Sequence, residues 1–410
     1  MAAASSDQMA PPVSPVARAG NTAAADPVLA RLQDRIRAAQ ADGHALRIRG
    51  SGSKDFYGGR LDGALLETRE LCGISSYEPS EMVVTVRTGT PLVELAAALA
   101  EKGQCLAFEP PAFGPGATVG GMLAAGLAGP ARASVGGVRD FVLGLTLLNG
   151  RAELLQFGGQ VMKNVAGYDV SRVMAGSLGI LGLVCEVSLK VPPLPAAQAS
   201  LVLEADQAGA LARLHRWTAQ ARPVNASAWH DGLLHLRLAG AAAAVEASVR
   251  SLVQQEGARV LEPLAAQAYW SALREQQAAF FTRPDADSRL WRLSVPATTA
   301  PLELPLAQLV EWGGAQRWLW SAEDADTVRA RATRVGGHAC CFRGAAQPLS
   351  QAQAGLAADE RAGSASASGL PGGIDFLAPL SPALERVHRA LKASFDPAGI
   401  FNPGRLYPWL

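Results

Sequence analysis

Hydrophobic and polar positions follow a mixed helical and strand pattern over the first half of the chain. Apolar residues spaced three or four apart predict helices, and apolar residues that alternate with polar ones predict strands. The elements predicted before position 192 are helices over residues 29–39 and 92–102 and strands over residues 45–49, 82–87, 141–148, 153–157 and 183–191. Between residues 108 and 137, Gly, Pro and Ala dominate. This composition indicates a structured loop system with a short helix, since a linker would be more polar.

A proline-rich break, Pro192-Pro193-Leu194-Pro195, separates this half from a second pattern. Proline cannot donate to a sheet ladder, so we place a domain boundary here. Beyond the break, strands predicted over residues 201–204, 233–238, 291–295, 317–320 and 338–342 are interleaved with helices over residues 207–220, 242–254 and 322–334. This order favours a split βαβ sheet with helices on one face, in a single or a duplicated copy. The predicted fold class is therefore α+β.

The two ends and one internal stretch differ from these domains in composition. Residues 1–29 are rich in Ala, Pro and Ser and are predicted to be a disordered tail, and residues 345–373 are poor in large apolar groups and predict a flexible linker. A last helix is predicted over residues 382–395. The predicted division is a tail over residues 1–29, a first domain over 30–195, a second domain over 196–344, a linker over 345–373 and a C-terminal segment over 374–410.

Composition narrows the class of protein. Of the 410 residues, 49% are hydrophobic and 18% charged, which predicts a globular body. Because 37 Lys and Arg nearly balance 36 Asp and Glu, the chain has no large positive field for nonspecific nucleic-acid binding. The five cysteines have no zinc or iron–sulfur spacing, which predicts no metal site and a reducing cytoplasm. The sequence contains no apolar run of the roughly 18 to 20 residues that a membrane span needs and no secretory signal.

Gly50-Ser51-Gly52-Ser53-Lys54 follows a predicted strand and carries the first candidate chemistry. Small residues let the main chain approach a ligand closely, so that converging N–H groups, the serine hydroxyls and Lys54 could bind a pyrophosphate. The dinucleotide fingerprint GxGxxG is not met, because Asp55 stands where the third glycine would be. A plain tight turn is the alternative.

Two further glycine-rich segments follow in the first domain. Residues 117–121, Ala-Thr-Val-Gly-Gly, continue to Gly137-Val138-Arg139-Asp140, and Gly176, Gly179 and Gly182 lead into an apolar strand. Consecutive small residues allow a chain to lie against a flat ligand and present backbone donors and acceptors to it. Helix packing through small residues is the alternative for each glycine, but the fixed order of the segments favours a nucleotide site.

Taken together, these segments resemble the FAD-binding family of vanillyl-alcohol oxidase type, and within it the FAD-binding subunits of bacterial glycolate oxidases. The matching segments are residues 49–53, 117–121, 137–140, 163–169, 176–182 and 395–405. The resemblance covers residues 30–195 strongly and the C-terminal tail well. It implies a two-subdomain FAD-binding fold with an α+β, ferredoxin-like cap domain over residues 196–344, and a C-terminal segment that returns to the FAD-binding domain.

The resemblance also implies which residues hold the cofactor. They are Gly50, Ser51, Gly52, Ser53, Lys54, Pro111, Thr118, Gly120, Gly121, Gly137, Asp140, Gly176, Gly179, Ile180, Gly182, Val184 and Asn402. The first five would cradle the FAD pyrophosphate, and Asn402 would approach the flavin edge. Some relatives attach the flavin covalently through a histidine in the first loop. Ser53 occupies that place here, so we expect noncovalent FAD.

The function implied by the resemblance is that of an FAD-binding subunit in a glycolate oxidase complex, which oxidises glycolate to glyoxylate. The implied partners are a second flavoprotein subunit, an iron–sulfur subunit and a small 2-hydroxy acid, and nucleic acid is not among them. We expect the chain in the cytoplasm, with attachment to the inner face of the membrane through partners left open. Two alternatives remain: a stand-alone dehydrogenase that binds its substrate carboxylate through Arg289 or Arg292, and a noncatalytic assembly subunit.

One departure from the hydroxy-acid dehydrogenases bears on catalysis. Those relatives carry a histidine-rich metal and substrate motif in the cap domain. The similar strand here, residues 336–343, contains His338 alone, with no carboxylate or second histidine beside it. The sequence therefore leaves the catalytic residues unassigned.

Overall fold

The computed structural model describes residues 26–159, 169–302, 304, 306–344 and 375–410. The predicted tail up to residue 25, the predicted linker and residues 163–168 of one matching segment lie outside this part of the chain. The first helix begins at Pro27, so residues 27–29, assigned to the tail from the sequence, form its first turn. Asp26 starts that helix by accepting a hydrogen bond from the Val28 N–H at 2.8 Å.

The helices and strands are numbered in chain order. The helices are α1 (Pro27–Asp42), α2 (Leu92–Ala100), α3 (Val119–Ala125), α4 (Arg132–Val135), α5 (Val138–Phe141), α6 (Val170–Val173), α7 (Gln207–Ala219), α8 (Ala242–Glu256), α9 (Pro263–Arg274), α10 (Ala325–Arg334) and α11 (Pro382–Phe395). The strands are β1 (Leu46–Arg49), β2 (Ala64–Glu67), β3 (Ile74–Glu78), β4 (Val83–Arg87), β5 (Val142–Leu148), β6 (Leu154–Gly158), β7 (Leu183–Lys190), β8 (Ala197–Glu204), β9 (Val224–His230), β10 (Leu233–Gly240), β11 (Arg259–Val260), β12 (Arg289–Ser294), β13 (Gln308–Glu311), β14 (Gln316–Ser321) and β15 (His338–Arg343).

The first domain contains two β-sheets, each with its own core. In the smaller sheet β1 and β2 pair in parallel, and α1 buries Leu32 and Ile36 against them. The larger sheet is antiparallel, with strand order β3-β4-β7-β5-β6 among the described residues, and α2 and α3 pack on it through Leu95 and Leu123. This arrangement confirms the two-subdomain fold.

The hydrophobic pattern does not predict β2 or β3. β2 has four residues, and the five residues of β3 are mostly polar with none of them buried. Strands this short and exposed carry no alternation that a sequence pattern can reveal, because their pairing partner determines them.

The cap domain contains a sheet of eight strands within the described residues, in the order β11-β8-β10-β9-β13-β14-β12-β15. β10 lies between β8 and β9, which α7 connects, and β12 lies between β14 and β15, which α10 connects. α7 and α8 bury Leu214 and Leu252 against the first half of the sheet. The ferredoxin-like cap is confirmed. Its strand order is repeated in the second half of the sheet, where no helix lies between β12 and β13 among the described residues, and the two halves are joined edge to edge by β9 and β13.

The C-terminal segment lies against the first domain. After α11, the chain pairs with β1: the Leu46 N–H donates to Ile400 O at 2.7 Å, and the Asn402 N–H donates to Leu46 O at 2.9 Å. Lys392 is buried and donates through Nζ to Asp396 Oδ2 and to Ile180 O, both at 2.7 Å. These contacts hold the end of the chain beside the strand that leads into residues 50–54.

Candidate functional site

A narrow cleft lies at the end of β1, where the two sheets of the first domain approach each other. It brings together most of the site residues predicted from the sequence, namely Gly50, Ser51, Gly52, Ser53, Lys54, Thr118, Gly120, Gly121, Gly179, Gly182, Val184 and Asn402. The cleft has a volume of about 120 Å³. Because ligand pockets usually hold roughly 300 to 1,000 Å³, the cleft encloses only part of a dinucleotide.

Residues 50–54, called the phosphate loop below, form one wall of the cleft. A Cβ at Gly50 would collide with Thr118 Oγ1 across the cleft. Gly52 has a φ of 78°, which other residues rarely adopt, and a Cβ there would collide with the Arg49 guanidinium. Gly50 thus keeps a side chain out of the cleft, and Gly52 provides the left-handed turn of the loop, as a pyrophosphate cradle requires.

The opposite wall begins at α3. Thr118 caps this helix by accepting a hydrogen bond from the Gly121 N–H at 3.2 Å. Gly120 lies close to β4, where its N–H donates to Thr88 O at 2.7 Å and a Cβ would lie only 2.9 Å from Thr88 Cβ. The small residues of this segment thus serve packing at Gly120 and line the cleft at the same time.

Asn402 joins three segments of the site. Its Oδ1 accepts a hydrogen bond from the Ile48 N–H at 2.7 Å, and its Nδ2 donates to Leu178 O at 2.7 Å. A Cβ at Gly179 would lie 2.7 Å from that Nδ2. The Asn402 amide, which the resemblance places at the flavin edge, is therefore engaged in fixing the walls of the cleft to each other.

Positive charge surrounds the end of the phosphate loop. Asp55, in place of the third glycine of the fingerprint, pairs with Arg49 at 2.9 Å between Oδ2 and Nε. Burial raises the pKa of Asp55, and the charges of Arg49, Arg405 and Arg47 oppose that rise. Three guanidinium groups thus face one carboxylate, and the excess positive charge suits a bound pyrophosphate.

Arg405 has no role assigned from the sequence, and it supports the phosphate loop from behind. Its Nη2 donates to Asp55 O at 2.9 Å and to Lys54 O at 3.2 Å. Burial lowers the pKa of Arg405 to about 10. The guanidinium fixes the backbone that leaves the loop.

Lys54 is buried. The resemblance implies contact with the FAD pyrophosphate, but the Lys54 amine bonds to the segment around Ala112. Its Nζ donates to Ala112 O at 3.1 Å and lies 5.7 Å from the centre of the Phe113 ring. Burial lowers the pKa of Lys54 to about 8, and the Glu275 carboxylate of the cap domain opposes that change. Lys54 thus ties the phosphate loop to the segment around Ala112.

The other predicted site residues do not line the cleft. Ile180 is part of the core of the larger sheet, and Pro111 is buried beside the loop. Asp140 accepts the Gly137 N–H at 2.8 Å and so closes the single turn of α5. The Gly176 N–H donates to Leu123 O at 2.9 Å. These residues shape the walls from outside the cleft.

The face of the cap domain beyond the phosphate loop is filled with side chains. The Tyr57 ring, three residues after the loop, lies 5.1 Å from the Phe342 ring and 4.7 Å from the Phe376 ring, measured between centroids. Phe342 in turn lies 4.8 Å from the Trp318 ring. Tyr57, Trp318, Phe342 and Phe376 are all buried, so aromatic packing joins the two domains here.

The two arginines considered for a substrate carboxylate lie on opposite faces of β12. Arg292 donates through Nη2 to the Tyr57 hydroxyl at 3.1 Å, and its guanidinium lies 5.4 Å from the centre of the Phe342 ring. Arg289 falls on the other face because side chains alternate along a strand. Neither arginine therefore lines the cleft.

His338 is exposed at the first position of β15, opposite Ser294. Partial desolvation and the charge of Arg292 lower the pKa of His338. The described residues include no group of three or more His, Cys, Asp or Glu side chains arranged to hold a metal ion. The helices of the described part include none long and apolar enough to cross a membrane.

Comparison with known proteins identifies the family. The chain is 42% identical over 376 residues to glycolate oxidase subunit GlcE of Escherichia coli (strain K12), a match that covers 92% of this chain and 96% of that protein. The chain belongs to the GlcE family of glycolate oxidase subunits. Residues 29–158 match the FAD-binding domain family, which confirms FAD as the cofactor predicted for the first domain.

More distant relatives, outside the GlcE family by name, share part of the chain. It is 31% identical over 141 residues to D-lactate dehydrogenase of Anaerostipes hadrus, covering 34% of this chain and 29% of that one. It is 30% identical over 158 residues to glycolate oxidase subunit GlcD of Bacillus subtilis (strain 168), covering 38% and 33%. Alkyldihydroxyacetonephosphate synthase is similar in structure, with a TM-score of 0.60 over 91% of this chain and 75% of that chain. At 14% identity, that likeness shows the fold alone.

Proposed function

We propose that this chain is the FAD-binding subunit of a glycolate oxidase complex, in which its flavin exchanges electrons with partner subunits while glycolate is oxidised to glyoxylate. The similarity to subunit GlcE over 96% of that protein supports this assignment. The proposed partners are a second flavoprotein subunit and an iron–sulfur subunit, assembled at the cytoplasmic face of the membrane.

The cleft fits the charged part of FAD. The backbone of Gly50 and Gly52, which a Cβ at either position would obstruct, is suited to the pyrophosphate, and the guanidinium groups around Asp55 supply the positive charge it needs. Thr118, Gly120 and Gly121 would hold the cofactor from the opposite wall, and Gly179, Gly182 and Val184 would hold its adenine or pyrophosphate side. With Ser53 in place of the covalent histidine of some relatives, binding is noncovalent. When bound, the flavin supplies hydride and single-electron transfer.

The observation that carries the electron-exchange role is the aromatic packing between Tyr57 and the cap sheet. A flavin dehydrogenase needs room for its substrate and a base near the reacting hydroxyl. Here the rings of Tyr57, Phe342 and Phe376 occupy the space between the residues that follow the phosphate loop and the sheet of the cap domain. Arg292, the arginine on this face, is hydrogen-bonded to the Tyr57 hydroxyl. These rings close this contact to a hydroxy acid, although an open groove of about 1380 Å³ lies elsewhere between the domains, and we assign oxidation of the hydroxy acid to a partner subunit.

The experiment compares complexes assembled with the wild-type chain and with an FAD-free variant. Gly52→Val supplies that variant, and pull-down of the tagged chain measures assembly. We expect the variant complex to assemble and to lose most glycolate-dependent reduction of an artificial electron acceptor. Undiminished activity from an assembled complex that lacks this flavin would instead identify the chain as an assembly subunit.

A further inference from the structure

Residues 110–117, called the cover loop below, lie directly against the phosphate loop. A Cβ at Gly116 would lie 3.3 Å from Ser51 Cβ, and one at Gly114 would lie 3.9 Å from Ser53 Cβ. Lys54 Nζ donates to Ala112 O at 3.1 Å. The cover loop therefore determines how closely the phosphate loop is enclosed on this side.

The cap domain reaches the other side of the cover loop through one carboxylate. Glu275 directly follows α9, and its Oε2 accepts hydrogen bonds from the Ala112 N–H at 3.1 Å and the Phe113 N–H at 2.8 Å. Arg274 Nε donates to Glu275 Oε1 at 2.8 Å and orients the carboxylate. The Glu275 side chain is only 13% exposed. Hydrogen bonds from N–H groups to an ionised carboxylate are stronger than those between neutral groups.

Glu275 also balances the charge of the phosphate loop. Lys54 is buried, and the negative charge of Glu275 favours the protonated form of its amine. The Glu275 carboxylate thus bonds to the cover loop and also attracts Lys54. Lys54 bonds to the same loop from the side of the phosphate loop. Two domains and two loops meet at this one residue.

We propose that Glu275 is a positioning residue through which the cap domain holds the cover loop against the phosphate loop and so retains FAD. This inference rests on the proposed assignment of FAD to the cleft. The cover loop does not line the cleft, so it would act on bound FAD through its contacts with Ser51, Ser53 and Lys54 of the phosphate loop. Loss of the two bonds to Ala112 and Phe113 frees the cover loop to move away, and bound FAD then escapes faster.

The test uses the full chain with Glu275→Ala and Glu275→Gln, and with Glu262→Ala as the matched control. Glu262 starts the same helix, is exposed and makes no side-chain cap hydrogen bond. FAD release is followed by the rise in flavin fluorescence after dilution, and FAD affinity is measured by titration of the flavin-free protein. Hydrogen exchange of peptides spanning residues 108–117 reports the state of the cover loop.

We expect Glu275→Ala to release FAD about tenfold faster and to bind it about tenfold more weakly, with faster amide exchange in the cover loop. Glu275→Gln keeps an oxygen acceptor but loses the charge, so its release rate should fall between those of wild type and Glu275→Ala. Glu262→Ala should match wild type in all three measurements. If Glu275→Ala does not fold, the Glu275→Gln release rate decides the question alone.

Release rates within twofold of wild type in both Glu275 variants, with the cover loop exchanging faster, would overturn the proposal. That outcome would leave the FAD assignment intact, since it concerns only the link between the cap and the cleft. Failure of the assignment itself has a different signature, which is retention of FAD by Gly52→Val. The two failures are thus distinguishable in one set of proteins.

Discussion

The first domain and the cap domain present opposite kinds of surface to the site. On the first domain, the walls of the cleft are main chain and small residues: a Cβ at Gly50 would collide with Thr118 of the opposite wall, and one at Gly52 with the guanidinium of Arg49. On the cap domain, the inner face of the sheet carries buried rings, including Trp318 and Phe342. The first surface allows a charged ligand to approach the backbone, whereas the rings of the second pack against Tyr57. The open groove between the two domains, about 1380 Å³ in volume and lined by residues that include Phe113, Glu275 and Arg343, lies outside this aromatic contact. The cleft of the first domain is therefore suited to holding a cofactor, and the aromatic face of the cap is not suited to binding a substrate.

The largest effect is expected from Gly52→Val, which should abolish stoichiometric FAD. The substitution requires a φ of 78° from a branched residue and places its Cβ against the Arg49 guanidinium. The ratio of flavin absorbance to protein after purification measures the result. Gly103→Val is the matched control, because Gly103 has a φ of 66° but its Cβ would have no neighbour within 4 Å. Loss of FAD from both variants would mean that backbone strain, and not the cleft, is responsible.

The first domain depends on the C-terminal segment that packs against it, and Lys392→Met should lower its stability. The change leaves the Asp396 carboxylate, which is 1% exposed, without its positive partner. Breaking one member of a buried pair costs about 3–5 kcal/mol of unfolding free energy, which urea unfolding measures. Arg389→Met on the same helix removes the exposed pair with Glu385 and the contacts of the guanidinium with Trp409, and should cost about 1 kcal/mol because these contacts lie at the surface. Equal losses in the two variants would contradict the structural role of the buried pair.

The contribution of the cap domain to stability should depend on pH. Burial raises the pKa of Glu311 to about 7, against the opposing hydrogen bonds from Trp318 and Gln316 and with a further contribution from Glu109. Because this pKa lies above the ordinary 4.5, the folded chain binds the proton more tightly than the unfolded chain. The resulting stability is complete below pH 4.5 and is lost as the pH rises through 7, by about 2–3 kcal/mol.

Unfolding of wild type and Glu311→Gln in urea at pH 5 and pH 8 measures this effect. The glutamine variant should lack this part of the decline, because its side chain does not titrate. If the free energy of unfolding of wild type declines no more steeply than that of the variant, Glu311 does not ionise between pH 5 and pH 8.

The smallest effect is expected from Tyr57→Phe, which removes one hydroxyl from the contact between the domains. The hydroxyl accepts the 3.1 Å hydrogen bond from Arg292, and its loss should cost about 1 kcal/mol in thermal or urea unfolding. FAD content should not change, since the backbone of the phosphate loop is untouched. A variant that folds normally but loses its flavin would show that the two surfaces are not independent.

Much of the fold follows from local pattern. The helix predicted over residues 92–102 is α2 (Leu92–Ala100), and the predicted strands of the cap coincide with β10, β12, β14 and β15 in place and order. Helix α9 and strands β9 and β13 are not predicted. β13 has four residues, all buried, and so shows no alternation. α9 does carry helical spacing, with Ala266, Trp270 and Leu273 buried, and is a helix that the pattern could have revealed. The positions of β9 and β13 are determined by the sheet that they complete.

The site residues also fall into those that the sequence predicts and those that it does not. The glycines of the phosphate loop are predictable because backbone geometry at Gly50 and Gly52 demands them within a few residues of sequence. Glu275 and Arg405 are not predictable, because the backbone groups they bond to lie 162 residues or more away along the chain. Asp140 and Ile180 belong to segments with the right composition, but they support the walls from outside the cleft.

The central claim is that the first domain holds FAD and that the hydroxy acid is oxidised on a partner subunit. Its most direct test is the visible spectrum of the purified chain alone, recorded without oxygen before and after addition of glycolate or D-lactate. We predict flavin absorbance that acid releases as FAD and that neither hydroxy acid bleaches. A colourless protein, or a flavin that the hydroxy acid reduces in this chain alone, would contradict the account.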